Sequence, residues 1–179
     1  MTTFSSVIKH LIKADKSIYS FITTVNDPSF YLHDQAGNIY KLATCKTPDA
    51  CFKVKNKTSK NIGFIPVDGK TGYIGCGISC CDTILFNNKY FCFIEFKLNA
   101  TSLKPNAVKR NRKKAIKQLG RTISYFNTKL HSNYLNLFLE AHISTPPTYP
   151  RADTKWKSYR IAFFQKFHIP LFESNEKRF

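Results

Sequence analysis

Asp82, Glu95 and Lys97 are the residues whose types and spacing lend themselves most directly to chemistry. Between Gly69 and Leu139 the chain carries only two acids, Asp82 and Glu95, against twelve lysines and arginines. Glu95 lies in the run Phe91-Cys-Phe-Ile-Glu-Phe-Lys-Leu98, two residues before Lys97. A carboxylate in so apolar and basic a setting is costly unless a metal ion, a lysine or a hydrogen-bond network compensates its charge. Two such acids and a lysine, followed by a dense basic segment, point to metal-dependent cleavage of a phosphodiester. The bland alternative is a Glu–Lys pair on a strand surface, contributing ~0.2–1 kcal/mol.

Two β-rich segments must position these residues. Residues 78–86 and 90–98 are joined by Asn87-Asn88-Lys89, the pattern of a tight antiparallel hairpin. If Asn87 and Asn88 form the loop, Phe86 pairs with Lys89, Asp82 with Phe93 and Cys80 with Glu95. Asp82, Glu95 and Lys97 then share a face, with the acids diagonal neighbours about 7–8 Å apart at the backbone. A regular three-residue loop would turn Asp82 to the other face, so the site requires an even loop or a bulge. The second strand is apolar on both faces apart from Glu95 and Lys97, which suits a central, covered strand.

A helix is expected from Ala107 to Leu130, with Ala115, Ile116, Leu119, Ile123, Phe126 and Leu130 as its buried stripe. Its first turns carry Lys109, Arg110, Arg112, Lys113, Lys114 and Lys117, with Arg121 a turn further on. Cations there oppose the helix macrodipole, a cost that makes sense if an anion binds at that end. Further along, Arg151, Lys155, Trp156, Lys157, Tyr159 and Arg160 interleave cations with aromatics, as backbone tracking plus base stacking would need. An exposed loop whose Trp156 anchors to the core fits that segment equally well. The whole chain of 179 residues has a formal charge of +17 and a pI near 9.7, a field that attracts polyanions. Nucleic acid is the expected partner; an anionic membrane surface and an acidic protein are the alternatives.

Asp82, then Glu95-Phe96-Lys97, on adjacent strands and followed by a helix, resembles the PD-(D/E)XK nuclease superfamily, the restriction-endonuclease-like fold. The likeness spans roughly residues 70–144, and the opening helix can serve as the first core helix. It implies that Asp82 and Glu95 are metal ligands, that the Phe96 carbonyl adds a ligand, and that Mg²⁺, or Mn²⁺, is the cofactor. Lys97 would orient or activate the attacking water and stabilise developing negative charge. Gln118 resembles a glutamine that many exonuclease-like members direct at the site; Tyr125 follows it later than their usual tyrosine. Cys81 stands where a proline often precedes the first acid. The implied substrate is nucleic acid, DNA before RNA, and the resemblance admits a homodimer. A catalytically inactive nucleic-acid-binding accessory protein with the same core is the competing expectation.

The remaining chain reads as a single domain of α/β (α+β) class, a mixed central sheet flanked by helices. An amphipathic helix is expected over 4–25, a hairpin over 30–42 around Asp34-Gln35-Ala36-Gly37, a strand over 134–144 and a last strand over 160–167. Residues 43–77 are polar and glycine-bearing, with short strand-like pieces such as Gly63-Phe64-Ile65 whose order the sequence does not give, and a frayed tail is expected from Glu173. Asp15 and Asp68 are spare acids, and Glu140 with His142 could line the edge of the site or form a structural hydrogen bond. Apolar runs are strand-length, so no membrane span is expected, and an intracellular setting, cytoplasmic or nuclear, follows from the lack of a secretory pattern. Cys45, Cys51, Cys76, Cys80, Cys81 and Cys92 are then expected as reduced thiols. Their spacing is poor for zinc.

Overall fold

Alternating side chains give one long sheet two apolar faces, and the chain covers each face differently. The computed structural model describes residues 2–35, 37–47, 50–75, 77–100, 102–150 and 154–179. Helix α1 (Phe4–Ala14) and a 3₁₀ turn (Lys16–Phe21) lead into β1 (Thr23–Val25), β2 (Ser29–Gln35), β3 (Asn38–Leu42), β4 (Phe52–Lys55) and β5 (Ile62–Pro66). Strands β6 (Thr83–Phe86) and β7 (Tyr90–Phe96) precede the long helix α2 (Pro105–Lys129). Strand β8 (Phe138–Ser144), helix α3 (Thr154–Phe167), β9 (Leu171–Glu173) and β10 (Glu176–Arg178) follow. The six-stranded sheet runs β1-β5-β6-β7-β8-β9, and the four-stranded sheet runs β10-β4-β2-β3. Both sheets are mixed: β7–β8, β8–β9 and β10–β4 are parallel pairs and the rest antiparallel.

Phe86, Phe91, Phe93, Ala141 and Ile143 face the helices, where Val7 and Leu11 of α1, Leu119, Ile123 and Phe126 of α2 and Phe163 of α3 complete one core. Leu85, Cys92, Ile94 and Phe96 face the second sheet and meet Phe30, Leu32, Phe52 and Val54. The result is three layers: helices, six strands, four strands. Strand β7 is central and covered on both faces, which explains its near-continuous apolar run.

Several expectations are corrected. The opening helix stops at Ala14, because the Asp15 side chain accepts the Ser17 amide at 2.9 Å and starts the 3₁₀ turn instead. Residues 160–167 are helical: Trp156, Tyr159, Phe163 and Phe167 recur at helical spacing, while exposed Ile161 and Phe164 on the other side blur that period. Strand β8 begins only at Phe138, after the left-handed residues His131, Ser132, Leu135 and Asn136. The tail from Glu173 is not frayed; β10 pairs with β4 and buries Lys177. Cys45 and Cys51 form a disulfide, whereas Cys80, Cys81 and Cys92 are buried free thiols and Cys76 lies outside the described residues. Among the described residues no helix is long and apolar enough to cross a membrane.

Candidate active site

The β6–β7 hairpin turns one step later than expected. The Asn87 side chain accepts the amides of Lys89 and Tyr90, each at 2.8 Å, so Asn88 and Lys89 form the loop and Phe86 pairs with Phe91. Register has moved by two residues, which leaves every side chain on its expected face. Continuing from Thr83 opposite Ile94, Asp82 stands directly opposite Glu95 rather than diagonal to it. Asp82 Oδ2 accepts the Phe96 amide at 2.5 Å.

Lys97 closes the group. Its Nζ donates to Glu95 Oε1, to the Phe96 carbonyl at 3.1 Å and to Gln118 Oε1 at 3.3 Å. Its own amide bonds the Ser144 carbonyl at 2.7 Å, fixing the end of β7 to β8. Helix α2 holds the other side. Gln118 Nε2 donates to the Cys80 carbonyl at 3.0 Å, and one turn on Thr122 Oγ1 accepts the Cys81 amide at 2.8 Å. Thr122 has no part in the sequence reading, although its i+4 spacing from Gln118 places both on the same helix face.

Electrostatics set this pair apart. Glu95 is 1 % exposed; its Oε2 is buried and meets no donor among the described residues, while the Asp82 carboxyl lies within hydrogen-bonding reach of the Glu95 carboxyl. Burial, then the neighbouring Asp82 charge, push the Glu95 carboxyl well above the usual range, against the pull of Lys97. Burial likewise raises Asp82 to about 6, with the Phe96 amide and Lys97 opposing. The Cys80 thiol is raised to about 12 by burial and by Asp68, Asp82 and Glu95, so it stays protonated. Two adjacent, desolvated carboxyls fit a hard divalent cation such as Mg²⁺ or Mn²⁺, which takes oxygen ligands.

Other candidates separate. Asp15 joins a different cluster, bonded by Lys129 at 2.8 Å and Tyr73 at 3.0 Å. Tyr125 belongs to that cluster, with its hydroxyl 3.5 Å from that of Tyr73. Glu140 and His142 lie on the opposite face of the sheet from Glu95, between the two sheets. Glu140 Oε2 is bonded by His142 at 2.9 Å and by Lys177 at 2.6 Å. With Cys92 these residues bring ligand atoms within 4.8 Å of one another, but Lys177 already supplies the cation there.

The basic residues divide as well. Lys109, Arg110, Lys113, Lys114, Lys117 and Arg121 are exposed along α2, and Lys155 is exposed on α3. Arg112 is not on that surface: its guanidinium is 2 % exposed and pairs with Glu173 at 2.8 Å. It also stacks 5.0 Å from the Trp156 ring, so Trp156 is a core anchor rather than a stacking platform. Arg160 is exposed on a helix and donates to the Leu171 carbonyl at 3.0 Å. Arg151 lies outside the described residues. The α2 N-terminus has no side-chain cap and no acid in its first turn, but Pro105 has no amide hydrogen and the Ala107 and Val108 amides donate to the Lys104 carbonyl, so few donors there are left for the expected anion.

Searches of family models, curated proteins and solved structures find no match to this chain.

Proposed function

We propose that this protein is a metal-dependent nuclease with a PD-(D/E)XK-like site, cutting DNA in preference to RNA. The observation that carries the reading is the pair Asp82–Glu95, two buried carboxyls adjacent across neighbouring chain segments with Lys97 beside them. Asp82, Glu95 and the Phe96 carbonyl would hold Mg²⁺ or Mn²⁺. A bound divalent ion supplies charge neutralisation and an acidified water for attack at phosphorus. Lys97, steadied by Gln118, places an ammonium where the phosphoryl oxygens gain negative charge. The exposed cations of α2 draw the polyanion to this end of the sheet.

A cleavage panel tests this reading: single- and double-stranded DNA and RNA, linear and circular, with Mg²⁺, Mn²⁺ or EDTA. Metal-dependent cutting lost in Asp82→Asn, Glu95→Gln and Lys97→Ala is the expected result. Cutting that survives in all three variants overturns it. A silent nucleic-acid-binding protein is the second reading, favoured by the Lys97–Glu95 ion pair, which satisfies half of that carboxylate without metal. It predicts salt-sensitive binding with no cleavage of any substrate.

A further inference from the structure

A groove of about 550 Å³ runs between α2 and α3 on the outer face of the helical layer. One wall carries Lys113, Lys117 and Arg121, exposed at successive i+4 positions and therefore about 6 Å apart along the helix. Lys166 stands on the other wall, its Nζ 5.2 Å from the centroid of the Phe167 ring. Neither helix contains an acid, so no carboxylate of α2 or α3 offsets these four cations.

The floor differs in kind from the rim. Tyr159 and Phe167 are half-buried there above Phe163, with Ile116 beside them. Gly120 shapes this surface: a Cβ at that position would come within 2.8 Å of the Phe167 ring, so a larger residue there would push the ring from its place against α2. A duplex shows a flat basic surface its phosphates and keeps its base faces stacked inside. Only unpaired nucleotides offer both a charged backbone for such a rim and exposed π-faces for such a floor.

We infer that the α2–α3 groove seats an unpaired stretch of nucleic acid, with phosphates on Lys113, Lys117, Arg121 and Lys166 and a base against Tyr159 and Phe167. The inference rests on the nucleic-acid partner proposed above and not on catalysis. It narrows the substrate to strands that are single, or frayed where they are bound.

Fluorescence anisotropy in EDTA tests it, using labelled oligothymidylate and a duplex of equal length across a salt series. Oligothymidylate is expected to bind at least about tenfold tighter than the duplex. The combined variant Lys113→Ala, Lys117→Ala, Arg121→Ala should reduce the log–log salt slope for oligothymidylate by about 2. Tyr159→Leu, which keeps the apolar bulk, should weaken oligothymidylate about tenfold and leave the duplex unchanged. Should Tyr159→Leu misfold by circular dichroism, the exposed-cation variant still decides the question. Equal affinity for duplex, or an unchanged salt slope, overturns the inference. So does loss in the cation variant of binding to phosphatidylserine vesicles or polyglutamate alone. Cleavage retained alongside groove-independent binding sinks the groove and leaves the nuclease reading standing; groove-dependent binding without cleavage does the reverse.

Discussion

Asp82 and Glu95 face each other from neighbouring strands, yet the Asp82 carboxylate is held by the Phe96 amide while Glu95 is held by Lys97. Each acid is thus fixed by its own partner, and the charge they build up together is left to a third party. That division of labour suits the divalent-ion site proposed for the pair.

Asp82→Asn should therefore stabilise the metal-free protein, because the amide keeps an acceptor for the Phe96 N–H and sheds a buried charge. The same change should remove the gain in thermal stability on adding Mn²⁺. At a metal concentration 100-fold above Kd, wild type should gain about 2.7 kcal/mol. Differential scanning fluorimetry with and without EDTA checks both halves; an equal Mn²⁺ gain in the variant would contradict the assignment.

Lys97 and Gln118 should separate by kind of effect. Lys97→Met should lower kcat about 10²–10³-fold, the scale for losing one donor aimed at developing charge. Gln118→Leu removes a bond to Lys97 and another to the Cys80 carbonyl. It should cost about 1–3 kcal/mol of stability through the carbonyl left unpaired, with a smaller loss of kcat. Steady-state kinetics beside urea unfolding separates the two.

Arg112 should behave as a structural cation. Removing Glu173, whose side chain is 1 % exposed, takes from a buried guanidinium the carboxylate that bonds its Nε and one of its terminal nitrogens. Glu173→Ala should cost about 3–5 kcal/mol, read by urea unfolding. Replacement of the exposed Lys113 should leave stability within about 0.5 kcal/mol and weaken nucleic-acid binding instead.

Glu140 supplies a dependence on pH. Burial would raise its carboxyl, but hydrogen bonds from His142 and Lys177 outweigh that and hold it at about 2, below its ordinary 4.5. A carboxyl depressed on folding contributes stability that is complete above its unfolded value and is lost as pH falls through its folded one. Glu140→Gln should thus be destabilised by about 1–3 kcal/mol near neutrality. The deficit should shrink between pH 4.5 and about 2. Urea midpoints of both proteins across that range check it; a deficit independent of pH would point to packing alone.

Residue parity carried much of the site. A two-residue error in strand register left Asp82, Glu95 and Lys97 on one face, because only odd slips exchange faces. Gln118 was legible for a similar reason, as part of a long helix of strong period. What escaped was whatever depended on distant partners. Trp156 and Arg112 look like a nucleic-acid surface in one dimension, and distant partners, among them Glu173, 61 positions after Arg112, turn them inward. Lys177 looks like part of a loose tail until Glu140 is placed beneath it. The strand expected over 160–167 failed because exposed Ile161 and Phe164 obscured the period of α3.

The strands β9 and β10 carry a consequence for the order in which this molecule assembles. Glu173 and Lys177 neutralise Arg112 and Glu140, charges set into opposite faces of the central sheet by earlier parts of the chain. A collapsed state lacking residues 171–179 would confine a cation on one side and an anion on the other without these two counter-charges, and desolvating either would cost more. Drying of the two cores and docking of this short segment are therefore one event. Folding is completed by charge as much as by grease.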